Sequence, residues 1–318
     1  MTITQLQYVL AVAEHKNFTL AAEKCFVTQP TLSMQIQKIE EELNIQIFDR
    51  TKKPIQLTDI GQKIVAQAKN IVIEADRIKD IVEHQKGFIG GEFKLGIIPT
   101  VTPTLLPMFL SNFINKYPKV KLIIEELNTE ELIHRLKNGY LDAAIASTPL
   151  MEEKLKEIVL YYEPFVAYIP ENHKIAHKKE IEVSDLEIEE ILLLQDGHCF
   201  RDGILNLCKN LNGEIKNSFQ LESGSFETLI KLANEGLGTT LLPYLHTLDL
   251  KEKDKKNLHH FVEPKPAREV SLIFPKSELK IHIIDALRAT IAGVIKGAIA
   301  FHDVQIISPI SKNKKGAF

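Results

Sequence analysis

The chain has 318 residues, 44% hydrophobic and 25% charged, and its 15 glycines and 14 prolines exclude a collagen-like or linker-dominated polymer. At about 150 residues per domain there is room for two domains, each with its own core. A net charge of −3 removes any bulk electrostatic case for nucleic acid, so such a function has to rest on local pattern.

The first cation is Lys16, so no secretion signal is read at the amino terminus. The apolar stretch from Ile281 to Phe301 is broken by Asp285, Arg288 and Lys296, which leaves it short of a membrane span. A cytoplasmic protein with no membrane partner is expected. Cys25, Cys199 and Cys208 form an odd set, which argues against a structural disulfide framework.

Leu6, Val9, Leu10 and Ala13 recur at helical spacing, which predicts a first amphipathic helix capped by Thr2. A short second helix is predicted from Thr19, with Ala21 and Ala22 allowing close approach and Cys25 packed between helices. Thr28 caps a third helix whose first turn tolerates Pro30 and whose Leu32, Ile36, Ile39 and Leu43 form an apolar stripe. The opposite face carries Pro30, Met34 and Gln37 flanked by Thr31, Ser33 and Lys38, a polar and methyl-bearing surface suited to a major groove. Two β-like runs, Ile45 to Phe48 and Ile55 to Leu57, enclose the basic turn Asp49-Arg50-Thr51-Lys52-Lys53-Pro54, a wing able to reach phosphates. From periodicity alone, a small helical subdomain with a solvated turn is equally open.

From Asp59 onward, Ile64, Ala68, Ile71, Ala75, Ile78 and Val82 alternate spacings of four and three, the rhythm of a coiled-coil seam. A long helix with a partner helix, and so at least a dimer, is predicted. The plainer alternative is a helix lying on its own chain. Gly87, Gly90 and Gly91 mark a domain boundary near residue 90.

Beyond it, strands are predicted at Phe93 to Ile98, Val120 to Ile124 and Leu141 to Ala146, with helices at Pro103 to Tyr117 and Glu130 to Lys137. The alternation resumes with a strand at Ile191 to Leu194, helices near Asp202 to Leu211 and at Ser225 to Asn234, and a strand at Thr239 to Leu242. Phe165 to Pro170 would link two sheets. This grammar predicts an α/β domain with a largely parallel sheet and a ligand cleft at strand carboxyl ends. Thr100 and Thr129 sit at such ends, as helix caps or as ligand contacts. The tail, residues 306 to 318 with Lys312, Lys314 and Lys315, is expected to be disordered.

Cys199 lies between Gln195-Asp196-Gly197-His198 and Phe200-Arg201-Asp202. A cationic neighbour, Arg201 or a protonated His198, together with a helix amino terminus would favour the thiolate, which makes Cys199 the best nucleophile candidate. Cys208 lies nine positions later. Across a continuous helix that interval spans about 13 Å between Cα atoms, whereas a disulfide needs less than about 7 Å. The two thiols could join only through local refolding, with peroxide converting Cys199 to sulfenic acid and Cys208 condensing with it. Spacing alone leaves open that both cysteines are inert. Gly236-Leu237-Gly238 lacks the last glycine of a dinucleotide fingerprint, His259-His260 reads as a surface pair, and no zinc spacing or phosphate loop occurs. No metal or cofactor is expected, and the chain is not read as an enzyme.

Phe18-Thr19-Leu20-Ala21-Ala22, Val27-Thr28-Gln29-Pro30-Thr31-Leu32-Ser33, Ile39-Glu40-Glu41-Glu42-Leu43, Phe48-Asp49-Arg50 and Leu57-Thr58-Asp59-Ile60-Gly61 together resemble the signature of LysR-type transcriptional regulators. Gly96-Ile97-Ile98-Pro99-Thr100-Val101, Asp196 to Asp202 with Cys208, Glu227-Thr228-Leu229 and Leu241-Leu242-Pro243 resemble the peroxide-sensing OxyR branch of that family.

The resemblance implies an all-α winged helix-turn-helix domain over residues 1–58 and a dimerising linker helix over 59–89. It implies a two-lobed α/β regulatory domain similar to periplasmic binding proteins over 90–305. A homodimer or homotetramer would act on double-stranded promoter DNA together with RNA polymerase. Thr28, Gln29, Pro30, Thr31, Ser33, Met34, Arg50 and Lys52 would contact that DNA. Cys199 would be the peroxidatic residue and Cys208 its disulfide partner, restored by a cytosolic thiol reductant. Thr100, Thr129, His198 and Arg268 would line the hydrogen peroxide pocket, with Ala267 standing where the branch often has a second basic residue. A regulator of an unrelated metabolite and a stand-alone thiol peroxidase are the competing readings.

Overall fold

The computed structural model describes residues 1–85, 89–209, 224–299 and 304–309. The chain divides into two units, Met1–Phe88 and Ile89–Phe318.

In the first unit, α1 (Ile3–His15) starts at Thr2, whose hydroxyl accepts from the Gln5 amide at 3.2 Å while Gln5 Oε1 accepts from the Thr2 amide at 2.8 Å. A reciprocal cap of this kind contributes about 1 kcal/mol. The helix buries Gln5, Leu6, Val9 and Val12, whereas Leu10 and Ala13 are only half-buried. α2 (Phe18–Lys24) begins one residue earlier than the pattern suggested, because Asn17 accepts from both the Thr19 and Leu20 amides. Cys25 ends that helix, half-buried. α3 (Gln29–Leu43) opens after Thr28 and buries Leu32, Ile36 and Ile39, while Leu43 is exposed. The wing is shorter than its apolar runs, with β1 (Phe48–Asp49) antiparallel to β2 (Gln56–Leu57).

Thr58 joins the wing to α4 (Asp59–Gln85), its hydroxyl donating to Gln46 O at 2.6 Å and accepting from the Gly61 amide at 2.9 Å. A Cβ at Gly61 would lie 2.1 Å from Ile47 O, so only glycine lets α4 come this close to the chain entering the wing. Along α4, Ile64, Ala68 and Ile71 pack on the core of their own unit, as the intrachain alternative required. Ile78, further along the seam, is 64% exposed. The Val82 side chain and Gly87 lie outside the described residues.

In the second unit, β3 (Gly91–Ile97) lies parallel to both β4 (Val120–Glu126) and β5 (Ala143–Thr148), with α5 (Thr102–Lys116) and α6 (Thr129–Lys137) as the connections. β6 (Leu155–Tyr168) and β7 (Glu180–Ile181) follow, then α7 (Cys199–Leu207), α8 (Phe226–Asn234), β8 (Thr240–Pro243), α9 (Tyr244–Leu248), α10 (Glu252–Lys255), β9 (Leu258–Phe261), β10 (Lys265–Pro275), α11 (Ile281–Ile295) and β11 (Val304–Ile306). The strand order is β4-β3-β5-β10-β6-β9-β7, with β11 on β10 and β8 on β6.

The sheet is mixed rather than largely parallel. β6 carries the chain out to the second lobe and β10 returns it, so the two run antiparallel to each other, and β10 is antiparallel to β5 as well. At its far end β6 pairs with β8 and β9 instead. One apolar core forms around Phe93, Leu95, Phe109 and Leu287, and a second around Tyr168, Leu194, Phe200 and Leu241.

Three expectations fail here. Ile191 to Leu194 is buried but makes only one bridge, Ile191 to Thr239, so its apolar character serves packing rather than a strand ladder. His259 and His260 do not form a surface pair, since both lie in β9 and His259 is buried with Nδ1 2.8 Å from Lys178 O. The start of the tail is ordered, since Ile306 pairs beside Ala267, the Ile307 amide donates to Ala267 O at 2.8 Å, and Ser308 O accepts from Asn206 Nδ2 at 2.9 Å. Residues 310–318 and Leu211 lie outside the described residues.

Candidate functional site

In the first unit, Thr28, Gln29, Pro30, Thr31 and Met34 are exposed at the start of α3, and Ser33 is half-buried. The Thr28 and Thr31 hydroxyls stand 2.8 Å apart. Lys52 is exposed on the wing. Arg50 is also exposed, at 44%, but it is engaged within the unit, with Nη2 donating to Glu40 Oε2 at 2.8 Å and its guanidinium 5.2 Å over the Phe18 ring. Glu40 Oε1 accepts from the Ile47 and Phe48 amides at 2.8 and 3.2 Å. Glu40 therefore ties α3 to the wing, a role the sequence reading missed. The available signal was its place beside Ile39 and four residues after Ile36, on the buried stripe.

In the second unit, Cys199 is the first residue of α7 and Cys208 its C-cap, so the interval between them is helical throughout. At the helical rise their Cα atoms stand about 13 Å apart. Both are buried free thiols. Burial pushes the Cys208 thiol up to about 11, so it is protonated at neutral pH in this fold.

Neither expected cation serves Cys199. Arg201 donates from Nη1 to Leu194 O at 3.0 Å and pairs through Nε with Asp196 Oδ1 at 2.8 Å. Burial pushes the His198 imidazole below its ordinary value, against the pull of the Glu126 carboxylate, so it is neutral at pH 7. The cation that reaches this turn is Arg268, on β10, whose guanidinium lies over the ring of Phe200, the next residue in the chain.

Arg268 is fully buried. Its Nη1 donates to Thr100 Oγ1 at 2.9 Å and Nη2 to Thr100 O at 3.1 Å. Its Nε and Nη2 both reach Glu163 Oε2, at 2.9 and 2.7 Å, and its guanidinium lies 5.1 Å over the Phe200 ring. Burial, the largest single influence, works against this charge, but the neighbouring acidic groups, Glu163 first among them, together outweigh it and the guanidinium is held above its ordinary value. Glu163 Oε1 also accepts from the Leu245 amide at 2.9 Å.

Neither threonine is a helix cap. Asn128 caps α6 by accepting from the Glu131 amide at 2.9 Å, and Val101 occupies the N-cap of α5. Thr129 Oγ1 is buried with no hydrogen-bond partner among the described residues. Glu126, whose carboxylate acts on His198, ends β4 three residues before Thr129. Arg268 thus links Thr100, just past the end of β3, to Phe200, which follows Cys199 at the start of α7. Glu163 was missed from sequence, although a carboxylate within the apolar run of β6 is a usable signal. Among the described residues no cluster of three or more His, Cys, Asp or Glu could hold a metal ion. None of their helices is long and apolar enough to cross a membrane.

A winged helix-turn-helix followed by a two-lobed α/β unit with a polar site at the strand ends defines a LysR-type regulator, and the chain belongs to that family. Residues 3–62 match the profile of the bacterial regulatory helix-turn-helix protein, lysR family, and residues 86–295 that of the LysR substrate binding domain. Within the family its likeness is to the OxyR branch. It is 34% identical over 281 residues to the hydrogen peroxide-inducible genes activator of Pectobacterium carotovorum, covering 88% of this chain and 92% of the relative. It is 33% identical to the DNA-binding transcriptional dual regulator OxyR of Escherichia coli, covering 94% of this chain and 100% of that one. Among solved structures, a full-length OxyR from Pseudomonas aeruginosa with a cysteine-to-aspartate substitution superposes with a TM-score of 0.74 at 33% identity, over 92% of this chain and 98% of that one. A cysteine-to-serine variant of Corynebacterium glutamicum OxyR with hydrogen peroxide bound gives 0.62 at 29% identity, over 93% of each chain.

Proposed function

We propose that this chain is a DNA-binding transcriptional regulator that senses hydrogen peroxide through Cys199 and Cys208. The observation that carries the reading is the pair of buried free thiols at opposite ends of one helix, with a buried arginine stacked on the residue that follows the first. The Cys199 thiolate attacks one peroxide oxygen. A sulfur–oxygen bond forms, the O–O bond breaks, and the proton of the attacked oxygen passes to the departing one, so water leaves and sulfenate remains. Cys208 then condenses with the protonated sulfenic acid, releasing a second water and closing the disulfide. Because a disulfide cannot span about 13 Å, α7 must unwind first. That step turns oxidation into a change of shape.

Arg268, Thr100, Thr129 and a neutral His198 supply hydrogen bonds to the peroxide. Thr28, Gln29, Pro30, Thr31, Ser33 and Met34 face a major groove and Lys52 a phosphate, while Arg50 supports the wing. The working divisions are residues 1–58 for DNA, 59–89 for pairing of subunits and 90–305 for sensing. The exposed Ile78 on the α4 seam supports a dimer or tetramer. The protein acts in the cytoplasm with RNA polymerase as partner and is reset by a thiol reductant. It is oxidised once per signal rather than turning over as a peroxidase.

The test is mass-spectrometric disulfide mapping before and after a peroxide pulse, with the DNA footprint measured on the same samples. Cys199→Ser should abolish both the Cys199–Cys208 linkage and the peroxide-dependent footprint change. A normal footprint response in that variant overturns the reading.

A further inference from the structure

Tyr161 sits on β6 two residues before Glu163, and the register pairs Glu163 with Arg268 and Tyr161 with Val270. Side chains two apart on a strand share a face, so Tyr161 lies on the face that carries the Arg268–Glu163 pair. It is 95% buried, at 5% exposure, in the same apolar cluster as Cys199. Its hydroxyl has no hydrogen-bond partner among the described residues. Buried hydroxyls are rarely left so, and the few that are call for an explanation such as a bound ligand. Arg268, two residues before the Val270 that registers with Tyr161, lies over the ring of Phe200, the chain neighbour of Cys199, so one guanidinium stands between the strand that carries the phenol and the start of the helix that carries the thiol. Burial and the Glu163 carboxylate together push the phenol well above its ordinary value against the opposing Arg268, so it remains a proton donor at any working pH.

A second hydroxyl repeats the pattern. Ser147, on β5, registers with the same Val270, so Ser147, Val270 and Tyr161 form one row across three strands. Its Oγ is also without a partner among the described residues, and the residue is 2% exposed. β3 and β5 are parallel with Ile97 beside Ile145. Thr100, three residues past Ile97, and Ser147, two past Ile145, therefore leave the same end of the sheet.

We infer that Tyr161 is a further peroxide-contacting residue of this site, its phenolic O–H donating to a hydrogen peroxide oxygen held beside Arg268 and Cys199. The inference rests on the peroxide-sensing reading and adds a donor to it. As the O–O bond breaks, negative charge grows on the departing oxygen. The phenol stabilises that charge by hydrogen bonding while the proton from the attacked oxygen completes the departing water, and Tyr161 itself gives up no proton.

The test compares full-length Cys208→Ser protein, in which oxidation of Cys199 stops at sulfenic acid, with the same protein carrying Tyr161→Phe. Two rates are followed at Cys199, sulfenic acid formation by hydrogen peroxide and alkylation by iodoacetamide. The expected result is about a tenfold loss of the peroxide rate with the alkylation rate unchanged and the melting temperature equal or higher, since phenylalanine removes an unsatisfied hydroxyl. A peroxide rate within about twofold of the parent overturns the inference, as does an equal fall in both rates, which would make Tyr161 a packing residue around the thiol. If the parent forms no sulfenic acid, it is the proposed function that falls, and this inference with it.

Discussion

Arg268 Nη2 and Glu163 Oε2 stand 2.7 Å apart, both side chains almost wholly buried, where β10 and β6 run side by side. The same guanidinium bonds Thr100 and covers Phe200. One ion pair thus joins the two crossing strands, the end of β3 and the helix that carries both cysteines.

Removing one partner of such a pair leaves a buried charge uncompensated. Glu163→Gln should cost about 3–5 kcal/mol in urea unfolding, and the double replacement Glu163→Leu with Arg268→Met should recover much of that loss. The Glu163→Gln protein should also oxidise Cys199 more slowly, because Arg268 is then free to turn. A midpoint equal to wild type would show that the pair is not stabilising this junction.

The two wing cations should separate in a salt titration. Lys52→Ala should lower the slope of log affinity against log salt by about one, with no loss of melting temperature, as expected for a lost phosphate contact. Arg50→Ala should instead lower the melting temperature of the winged unit, since Glu40 would stay buried without its counterion. Fluorescence anisotropy on a promoter duplex and circular dichroism distinguish these outcomes. Identical behaviour of the two variants would contradict the assignment of Arg50 as a wing anchor.

Stability should fall on mild acidification. His198, His246 and His260 are each pushed below the ordinary imidazole value, burial being the largest cause in every case. The unfolded chain therefore takes up protons near pH 6.5 that the native fold resists. The stability these groups contribute is complete above about pH 6.5 and is lost as pH drops through their depressed native values. Thermal melts between about pH 7.5 and 6 should show a falling melting temperature, with a shallower slope for His246→Gln. A flat profile would mean that these imidazoles are not held neutral.

Disulfide closure requires α7 to open, and Asn206 is tied to the Ser308 carbonyl at 2.9 Å. One hydrogen bond of about 0.5–1.5 kcal/mol corresponds to a two- to tenfold change in rate. Asn206→Ala should speed conversion of sulfenic acid to the Cys199–Cys208 disulfide by that factor, with sulfenic acid formation unchanged. Rapid-quench alkylation resolves the two steps. An unaltered closure rate would show that the chain end does not restrain the helix.

How much of this was legible differs by element. The stripe Leu32, Ile36 and Ile39, the caps Thr2 and Thr28, and the alternation through β3, α5, β4, α6 and β5 all follow from patterns a few residues long. The spacing of Cys199 and Cys208 already implied a mismatch with disulfide geometry. The buried run Ile191 to Leu194 misled, because an apolar stretch reports burial and says nothing of whether its backbone is paired. Arg201 and His198 misled in another way, since neighbours in sequence need not be neighbours in charge.

By itself the sequence determined the local grammar: where helices start, which faces are apolar, and that two thiols nine residues apart on a helix are held from one another. Only the tertiary structure decided that Arg268 is the cation beside the Cys199 turn, that Glu163 holds it, and that Tyr161 and Ser147 carry hydroxyls without a partner among the described residues on the same face. Periodicity records the environment of a residue relative to its near neighbours. Which groups converge from more than a hundred positions away depends on strand pairing, and the register of β10 between β5 and β6 settled it.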